Sequence, residues 1–224
     1  MVKKIVMAAA LAALFFGLIS TAKADTVKLI TVRTGNYTFD WGQLGGDGAF
    51  IGSPFNAMYA GLGITGTLAV CCGQERLQGT DWGGNFLPGD NLIWTAGNGG
   101  AGPLTFTWNS GGVDAVGAQI QPEFFGPFTA QVCDNMGDCF TEKGHSNGKG
   151  DGSAIFIGLG DRGGDIQSIT FSLTSCSNAC GDFAINELSV DIPEAAGSPE
   201  PASLLLLGTG LLGLGGLIRR KLWA

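Results

Sequence analysis

The feature that most constrains the fold is an alternation of apolar and polar side chains with a period of two residues. Within residues 166–174, Ile169, Phe171 and Leu173 occupy every second position, and threonine or serine stands between them. Successive side chains of a β-strand point to opposite faces, so this pattern is typical of a strand with one buried face. Between the two ends of the chain, no stretch shows a helical period over three turns. The pattern therefore predicts an all-β fold.

The same pattern predicts seven strands along the chain. They span residues 27–32, 104–108, 113–121, 128–133, 154–159, 166–174 and 183–192. Glycine-rich connections separate them, of which 42–66 and 83–102 are the longest, and Asn-Gly pairs at 98–99 and 147–148 are typical of turns. The expected architecture is an antiparallel β-sandwich of jelly-roll type over residues 25–197.

The N-terminal residues 1–24 have the pattern of a secretory signal peptide. Lys3 and Lys4 precede an apolar run from 5 to 19, and Ala22 and Ala24 supply small residues at a cleavage point. Cleavage after Ala24 is expected, and an uncleaved anchor helix is the alternative.

The C-terminal residues contain a second apolar segment. An uncharged Leu/Gly-rich stretch of 15 residues, 204–218, is followed by three basic residues at 219–221. As a helix it would measure about 22 Å, and a bilayer core is about 30 Å thick. Spanning therefore requires flanking residues, so the expected transmembrane helix covers 203–218. The basic cluster should remain cytoplasmic and leave the upstream domain outside.

A motif surrounds this segment. Pro199-Glu200-Pro201 precedes it, and Arg219, Arg220 and Lys221 follow it. In this order at a C-terminus, residues 198–224 resemble the PEP-CTERM sorting signal of exported bacterial proteins. The resemblance implies cleavage near the triplet by an exosortase, a membrane-embedded cysteine transpeptidase, in bacteria that make extracellular polysaccharide. A plain membrane anchor is the alternative. Residues 181–190 also resemble the last strand of β-sandwich domains that often precede this tail.

The charge of the middle of the chain excludes nucleic acid as a partner. Residues 1–24 hold three lysines and residues 202–224 hold the basic cluster, which together make six of the 12 basic residues, and neither of these two stretches holds an acid. The rest of the chain therefore has six basic residues against 19 acidic ones, a formal net charge of −13. Binding of phosphates needs a basic surface. An acidic polysaccharide could be approached only through a bridging cation.

Six cysteines in the exported part fit an oxidising compartment. Cys133 and Cys139 flank a five-residue segment that a hairpin could close, and Cys176 and Cys180 enclose three residues before the last strand. These four are the disulfide candidates, although six cysteines allow fifteen connectivities. The role of the adjacent pair at 71–72 is open between a structural bond and a redox-active one, and a zinc site is a further alternative.

The sequence lacks the complete pattern of two kinds of catalytic site, a carboxylate pair and a histidine-based nucleophile. Glycosidases use two carboxylates about 5–9.5 Å apart, but the segment from Glu187 to Glu194 does not have the E-x-D-x-x-E spacing of a sandwich hydrolase, because Ser189 stands where an acid is needed. The single histidine, His145, lies in a polar glycine-rich segment that is expected to be a solvated loop, without a nucleophile motif. The chain is therefore expected not to be an enzyme.

Calcium is the only cofactor that the sequence suggests. Asp161 and Asp165 lie in a loop between two predicted strands, and Asp182 precedes another. Carboxylates on glycine-kinked loops suit Ca²⁺, whereas ordinary acidic turns are the alternative.

Tryptophans in the glycine-rich first half suggest a surface for sugars, since an exposed indole can stack on a sugar ring. Trp82 and Trp94 are the surface candidates, whereas Trp108 ends an alternating strand and is expected in the core.

Together these observations predict an exported protein with a structural or adhesive role in biofilm or envelope. A precursor anchored in the inner membrane would pass to the cell surface, the outer envelope or the extracellular space. Its expected partners are the secretion translocon, an exosortase-type membrane protease and extracellular polysaccharide. A carbohydrate-binding module is the alternative function, and a polysaccharide hydrolase is a second one.

Overall fold

The structure is a computed structural model that describes residues 26–69, 72–95, 100, 102–161, 163–177 and 180–193. Within these ranges the chain forms fifteen strands and one short 3₁₀ helix, Trp41–Leu44. In chain order the strands are β1 (Lys28–Ile30), β2 (Tyr37–Phe39), β3 (Phe50–Gly52), β4 (Phe55–Tyr59), β5 (Leu62–Leu68), β6 (Cys72–Leu77), β7 (Asn91–Trp94), β8 (Leu104–Trp108), β9 (Ala115–Pro122), β10 (Gly126–Asp134), β11 (Cys139–Ser146), β12 (Ile155–Gly160), β13 (Ser168–Cys176), β14 (Phe183–Ile185) and β15 (Leu188–Asp191).

The strands form two sheets. A nine-stranded sheet has the order β1-β12-β9-β14-β7-β6-β3, with β15 pairing with both β2 and β9. A six-stranded sheet has the order β11-β10-β13-β8-β5-β4. All pairings between these strands are antiparallel. The predicted antiparallel β-sandwich is confirmed.

The main core lies between the sheets and is built on aromatic side chains. Trp41 stacks on Phe106 with ring centroids 5.3 Å apart, and Phe106 meets the edge of Phe171 at 6.2 Å. The short helix that carries Trp41 begins after Asp40, whose Oδ1 accepts a hydrogen bond from the Gly42 amide at 2.7 Å. This cap holds the indole in the core, where Trp108 is also buried as expected.

The alternating pattern predicted the positions of several strands correctly to within a few residues. Residues 104–108 coincide with β8, and Ile169, Phe171 and Leu173 are the buried face of β13. The predicted strand 183–192 is instead two strands, because Asn186 interrupts it. The Asn186 side chain donates hydrogen bonds to Asp90 and to Gln119, while its amide donates to the Gln119 carbonyl at 3.0 Å, so the chain stays attached to β9 between the two strands.

The long connections were predicted wrongly. Residues 42–66 contain β3, β4 and most of β5, and residues 83–102 contain β7; β2, β6 and β11 were missed as well. Glycines hide the alternation there. A Cβ on Gly66 would lie 2.1 Å from the Phe55 ring, so the ring packs directly on the backbone of the neighbouring strand.

Among the described residues, no helix is long and apolar enough to cross a bilayer. The predicted signal helix, with Ala22 and Ala24, and the predicted helix 203–218 lie outside the described residues.

Candidate functional site: a cleft between two tryptophans

A cleft of about 210 Å³ opens beside β6 and β7, lined by Arg76, Asp81, Trp82, Gly83, Trp94 and Glu123. On β7, Ile93 points into the main core, whereas Leu92 and Trp94 pack in a second cluster with Trp82 and Phe86. Neighbouring residues of a strand face opposite ways. The cleft therefore lies on the face of the nine-stranded sheet that is turned away from the six-stranded sheet.

The turn after β6 positions Trp82 and Asp81. The Trp82 amide donates to the Leu77 carbonyl at 3.3 Å, and the Trp82 carbonyl accepts from the Gly79 amide at 2.8 Å. Asp81 Oδ1 accepts from the Leu77 amide at 3.0 Å. These bonds fold residues 77–82 back on β6, which brings the Trp82 indole beside Trp94.

The two indoles form the apolar part of the cleft. Their ring centroids are 6.3 Å apart at an interplanar angle of 54°. The Arg76 guanidinium carbon lies 4.5 Å from the Trp94 ring centroid, which covers one face of that ring with a cation. The expectation that Trp82 is an exposed surface indole is wrong, because it is only 7% exposed. Trp94 is half-buried.

Both indoles keep a hydrogen-bond donor without an acceptor. Among the described residues, none accepts a hydrogen bond from Trp82 Nε1 or from Trp94 Nε1, and both atoms are buried. A Cβ on Gly84 would lie 2.4 Å from Trp82 Nε1, so glycine is needed for this packing. Buried donors normally have a partner, and because protein atoms cover both of these, they are unpaired inside the fold rather than presented to the cleft.

Negative charge exceeds positive charge around the cleft. Arg76 forms a half-buried ion pair with Asp81, while Glu123, among the described residues, forms no ion pair. Desolvation raises the pKa of the exposed Glu123 carboxyl, and the negative charge of Asp182 raises it further. The amide of Glu123 donates to the Asp182 carbonyl at 2.8 Å, which keeps the two residues together.

A third carboxylate supports the ion pair. Asp47 and Asp81 both accept a hydrogen bond from the Leu77 amide, at 3.1 Å and 3.0 Å. Desolvation favours the protonated form of Asp81, but hydrogen bonds with Asp47 and Arg76 outweigh it and lower the pKa of Asp81. The hydrogen bond between the two carboxyl groups raises the pKa of Asp47.

A buried carboxylate lies on the other face of β6. Glu75 is fully buried, and neither of its side-chain oxygens has a hydrogen-bond partner among the described residues. Desolvation raises the pKa of Glu75, and the charges of Asp47, Asp81 and Asp40 add to this effect. Glu75 is therefore a group that the fold holds more easily in its neutral form.

Glu187, the residue of the hydrolase alternative, lies in a different cavity of about 310 Å³. Its carboxylate is paired with Arg33, and the cavity also contains Asp90. Burial raises the pKa of Asp90, and the Glu187 charge raises it further. Asp191, a second acid of that segment, lines a third cavity, and Glu194 lies outside the described residues. The structure therefore does not bring Glu187 and Asp191 into one cleft.

The calcium candidates do not come together as one site. A Cβ on Gly163 would lie 2.8 Å from Asp165 Oδ2 and 3.6 Å from Asp161 Oδ1, so these two carboxylates flank one loop. That loop follows the end of β12 that pairs with the beginning of β9, whereas Asp182 precedes β14, which pairs with the other end of β9. In the described ranges, no three His, Cys, Asp or Glu side chains gather as a metal site.

Two predicted disulfides are confirmed. Cys133 and Cys139 are joined across the β10–β11 hairpin, where they are register partners, and Cys176 is joined to Cys180. Cys71 lies outside the described residues, so the role of the pair at 71–72 stays open.

His145 was expected in a loop, and this was wrong. It lies in β11, opposite Pro127 of β10, and its side chain is exposed.

Comparison with known proteins identifies the C-terminal region. Residues 199–221, with Pro199 and Lys221 at the two ends, match the family model for the PEP-CTERM protein-sorting motif. The chain carries a PEP-CTERM sorting motif. This confirms the resemblance inferred from the sequence, and it implies an exported, membrane-processed protein that an exosortase-type system recognises.

Comparisons of the whole chain give little more. No curated protein matches it. Matching solved structures include two variants of CBM29-2, a family 29 carbohydrate-binding module. They are 14% and 13% identical, cover 75% and 79% of this chain and 94% and 99% of their own, and have TM-scores of 0.25 and 0.24. TM-scores this low do not show a fold or a function that this chain shares with those modules.

Sequence reasoning found the tryptophans of the cleft but missed its charged residues. Asp81 could have been noticed as the neighbour of Trp82, since both lie in one short turn. Arg76 stands in a polar strand, and Glu123 comes from the distant β9–β10 turn. No local pattern joins these segments, so only the fold shows that they meet.

Proposed function

We propose that the mature chain is a non-enzymatic β-sandwich protein of the cell surface or extracellular matrix, with a structural or adhesive role in biofilm or envelope. The observation that carries this proposal is the sorting motif at 199–221, placed directly after a disulfide-bonded all-β domain. Disulfides are typical of exported proteins, because the bacterial cytoplasm keeps thiols reduced.

The order of segments supports a defined route. A signal peptide at 1–24 directs the chain to the secretion translocon, and the apolar segment 203–218 then holds the precursor in the inner membrane. The exosortase-type protease acts on the tail near Pro199-Glu200-Pro201 and passes the domain 25–197 to the surface, the outer envelope or the medium. The domain has six basic and 18 acidic residues, and its formal net charge of −12 keeps it away from anionic lipid surfaces.

Replacing Pro199-Glu200-Pro201 by three alanines tests the route in the native host. We expect the variant to remain in the membrane fraction with its tail attached, while the unchanged chain reaches the surface or medium. A matched control replaces residues 195–197, Ala195-Ala196-Gly197, by three serines, which alters the linker and leaves the motif intact. Equal distribution of both variants and the unchanged chain would contradict sorting by the motif.

Adhesion through glycan binding at the Trp82–Trp94 cleft is a second candidate function. The specific observation in its favour is a cleft that combines two indoles with two carboxylates, Asp81 and Glu123, which can accept hydrogen bonds from hydroxyl groups. Trp94→Ala should abolish retention on a glycan array, and unchanged retention would contradict glycan binding there.

The hydrolase alternative has less support, because Glu187 is held in an ion pair and lies apart from Asp191. It predicts turnover of a polysaccharide that Glu187→Gln abolishes.

A further inference from the structure

We propose that the Trp82–Trp94 cleft binds one ring of an amino sugar through its protonated amine, rather than a neutral sugar or a uronic acid. This inference rests on the glycan-binding function proposed above and names the class of glycan. It follows from the size of the cleft, its charge, its aromatic walls and its rim.

The size of the cleft limits the ligand to a small group. Its volume is about 210 Å³, below the roughly 300–1,000 Å³ of sites that enclose drug-sized ligands. A single sugar ring is a suitable occupant, whereas a longer chain would have to extend over the rim. The cleft therefore recognises one ring of a polymer or its end.

The charge of the cleft selects a cation. Three charged side chains line it, and the single positive one, Arg76, is already neutralised by Asp81. Glu123 remains, exposed and outside any ion pair formed by the described residues. Desolvation raises the pKa of Glu123, and the negative charge of the neighbouring Asp182 raises it further, so a cation placed beside these two carboxylates would be attracted to both. A uronic acid would meet repulsion at the same place.

The aromatic walls suit the same ligand. Arg76 already lies over Trp94 at 4.5 Å, so the protein itself places a cation against this ring. The apolar face of a sugar ring can rest against the part of the half-buried Trp94 indole that lines the cleft. Glu123 then accepts a charge-assisted hydrogen bond from the amine.

The rim extends the aromatic surface. Phe125, in the turn that carries Glu123, is 51% exposed. A Cβ on Gly148 would lie 3.1 Å from the Phe125 ring and 3.9 Å from the carbonyl oxygen of Gly83, which lines the cleft. The Phe125 ring does not line the cleft itself but lies near Gly83, so the next ring of a polymer that leaves the cleft on that side would contact it.

A matched pair of ligands tests this proposal by isothermal titration at low ionic strength, with the full-length chain in detergent. The glucosamine trimer and the N-acetylglucosamine trimer differ in their amines, and the galacturonic acid trimer supplies the acidic case. We expect the glucosamine trimer to bind about tenfold or more tightly than the N-acetylated one, and the acidic trimer not to bind. Glu123→Gln should weaken binding of the glucosamine trimer by about tenfold.

The control separates a site from general attraction to an acidic domain. Asp138→Asn removes one negative charge from the turn at the opposite end of β10 from Glu123, and it should leave the affinity unchanged. An equal effect of Glu123→Gln and Asp138→Asn would overturn the proposal, because non-specific attraction would then explain the binding. Equal or tighter binding of the N-acetylated or acidic trimer would overturn the amino-sugar class and leave glycan binding standing. No binding by any trimer would overturn both.

Discussion

The guanidinium of Arg76 lies 4.5 Å from the Trp94 ring centroid while its Nη1 pairs with Asp81. One arginine therefore joins the indole to the turn that follows β6, and it closes one face of the ring. This relationship explains why the cleft is lined by side chains that are already in contact, rather than by two open indole platforms.

Replacing Arg76 by Gln should lower the free energy of unfolding by about 1–2 kcal/mol, because both the cation–π contact and the ion pair are lost. The same change should tighten binding of the glucosamine trimer, since it uncovers Trp94 and leaves Asp81 without its cation. Urea unfolding and titration measure the two effects. A variant that is as stable as the unchanged chain would show that Arg76 does not hold the turn.

Replacing Glu75 by Gln should stabilise the domain at neutral pH. The pKa of Glu75 is raised above its ordinary value near 4.5 by desolvation and by neighbouring acids. When folding raises the pKa of a carboxyl group, that group stabilises the folded state at pH values below its ordinary pKa. This stabilisation is lost as the pH rises through the raised pKa. The free energy of unfolding of the variant should therefore be higher by about 1 kcal/mol or more at pH 7–8. At pH 4 the substitution should change it little.

Thermal unfolding at the two pH values measures this effect. Glu142→Gln, on the edge strand β11, is the matched control and should change the melting temperature little at either pH. A Glu75→Gln domain that loses stability at pH 8 would contradict the assignment of Glu75 as an unfavourable buried charge.

Replacing Gly66 by Ala should destabilise the sandwich by about 1–3 kcal/mol, because the added Cβ would lie 2.1 Å from the Phe55 ring. Gly52→Ala is the matched control, since it is also a strand glycine and a Cβ there meets nothing within 4 Å. Urea unfolding compares them. Equal losses would show that general glycine replacement, and not contact with Phe55, causes the effect.

The sequence was informative where side chains alternate and uninformative where glycine or a buried charge replaces an apolar residue. Leu104, Phe106 and Trp108 alternate without interruption, and β8 was located exactly. In β6 the two buried positions are Gly73 and Glu75. Neither is a large apolar residue, so the sequence of this strand lacks the alternation that marks a strand with one buried face. In β5, Gly66 has no side chain, and the Phe55 ring of β4 packs against its backbone instead.

The sites divide in the same way. The sorting motif and the Cys133–Cys139 hairpin depend on short spacings, and both were predictable. The cleft depends on contacts between Arg76 and Trp94 on neighbouring strands and Glu123 from a distant turn. These contacts follow from strand order, which a single sequence does not specify.

The intact mass of the protein recovered from its native host tests the central claim most directly, namely that this is an exported protein processed at its sorting motif. The account predicts a mass that lacks residues 1–24 and the tail beyond the triplet at 199–201, and reduction should add the mass of two hydrogen atoms for each disulfide. A mass that retains Arg219 to Ala224 would contradict processing and would leave an ordinary membrane-anchored domain.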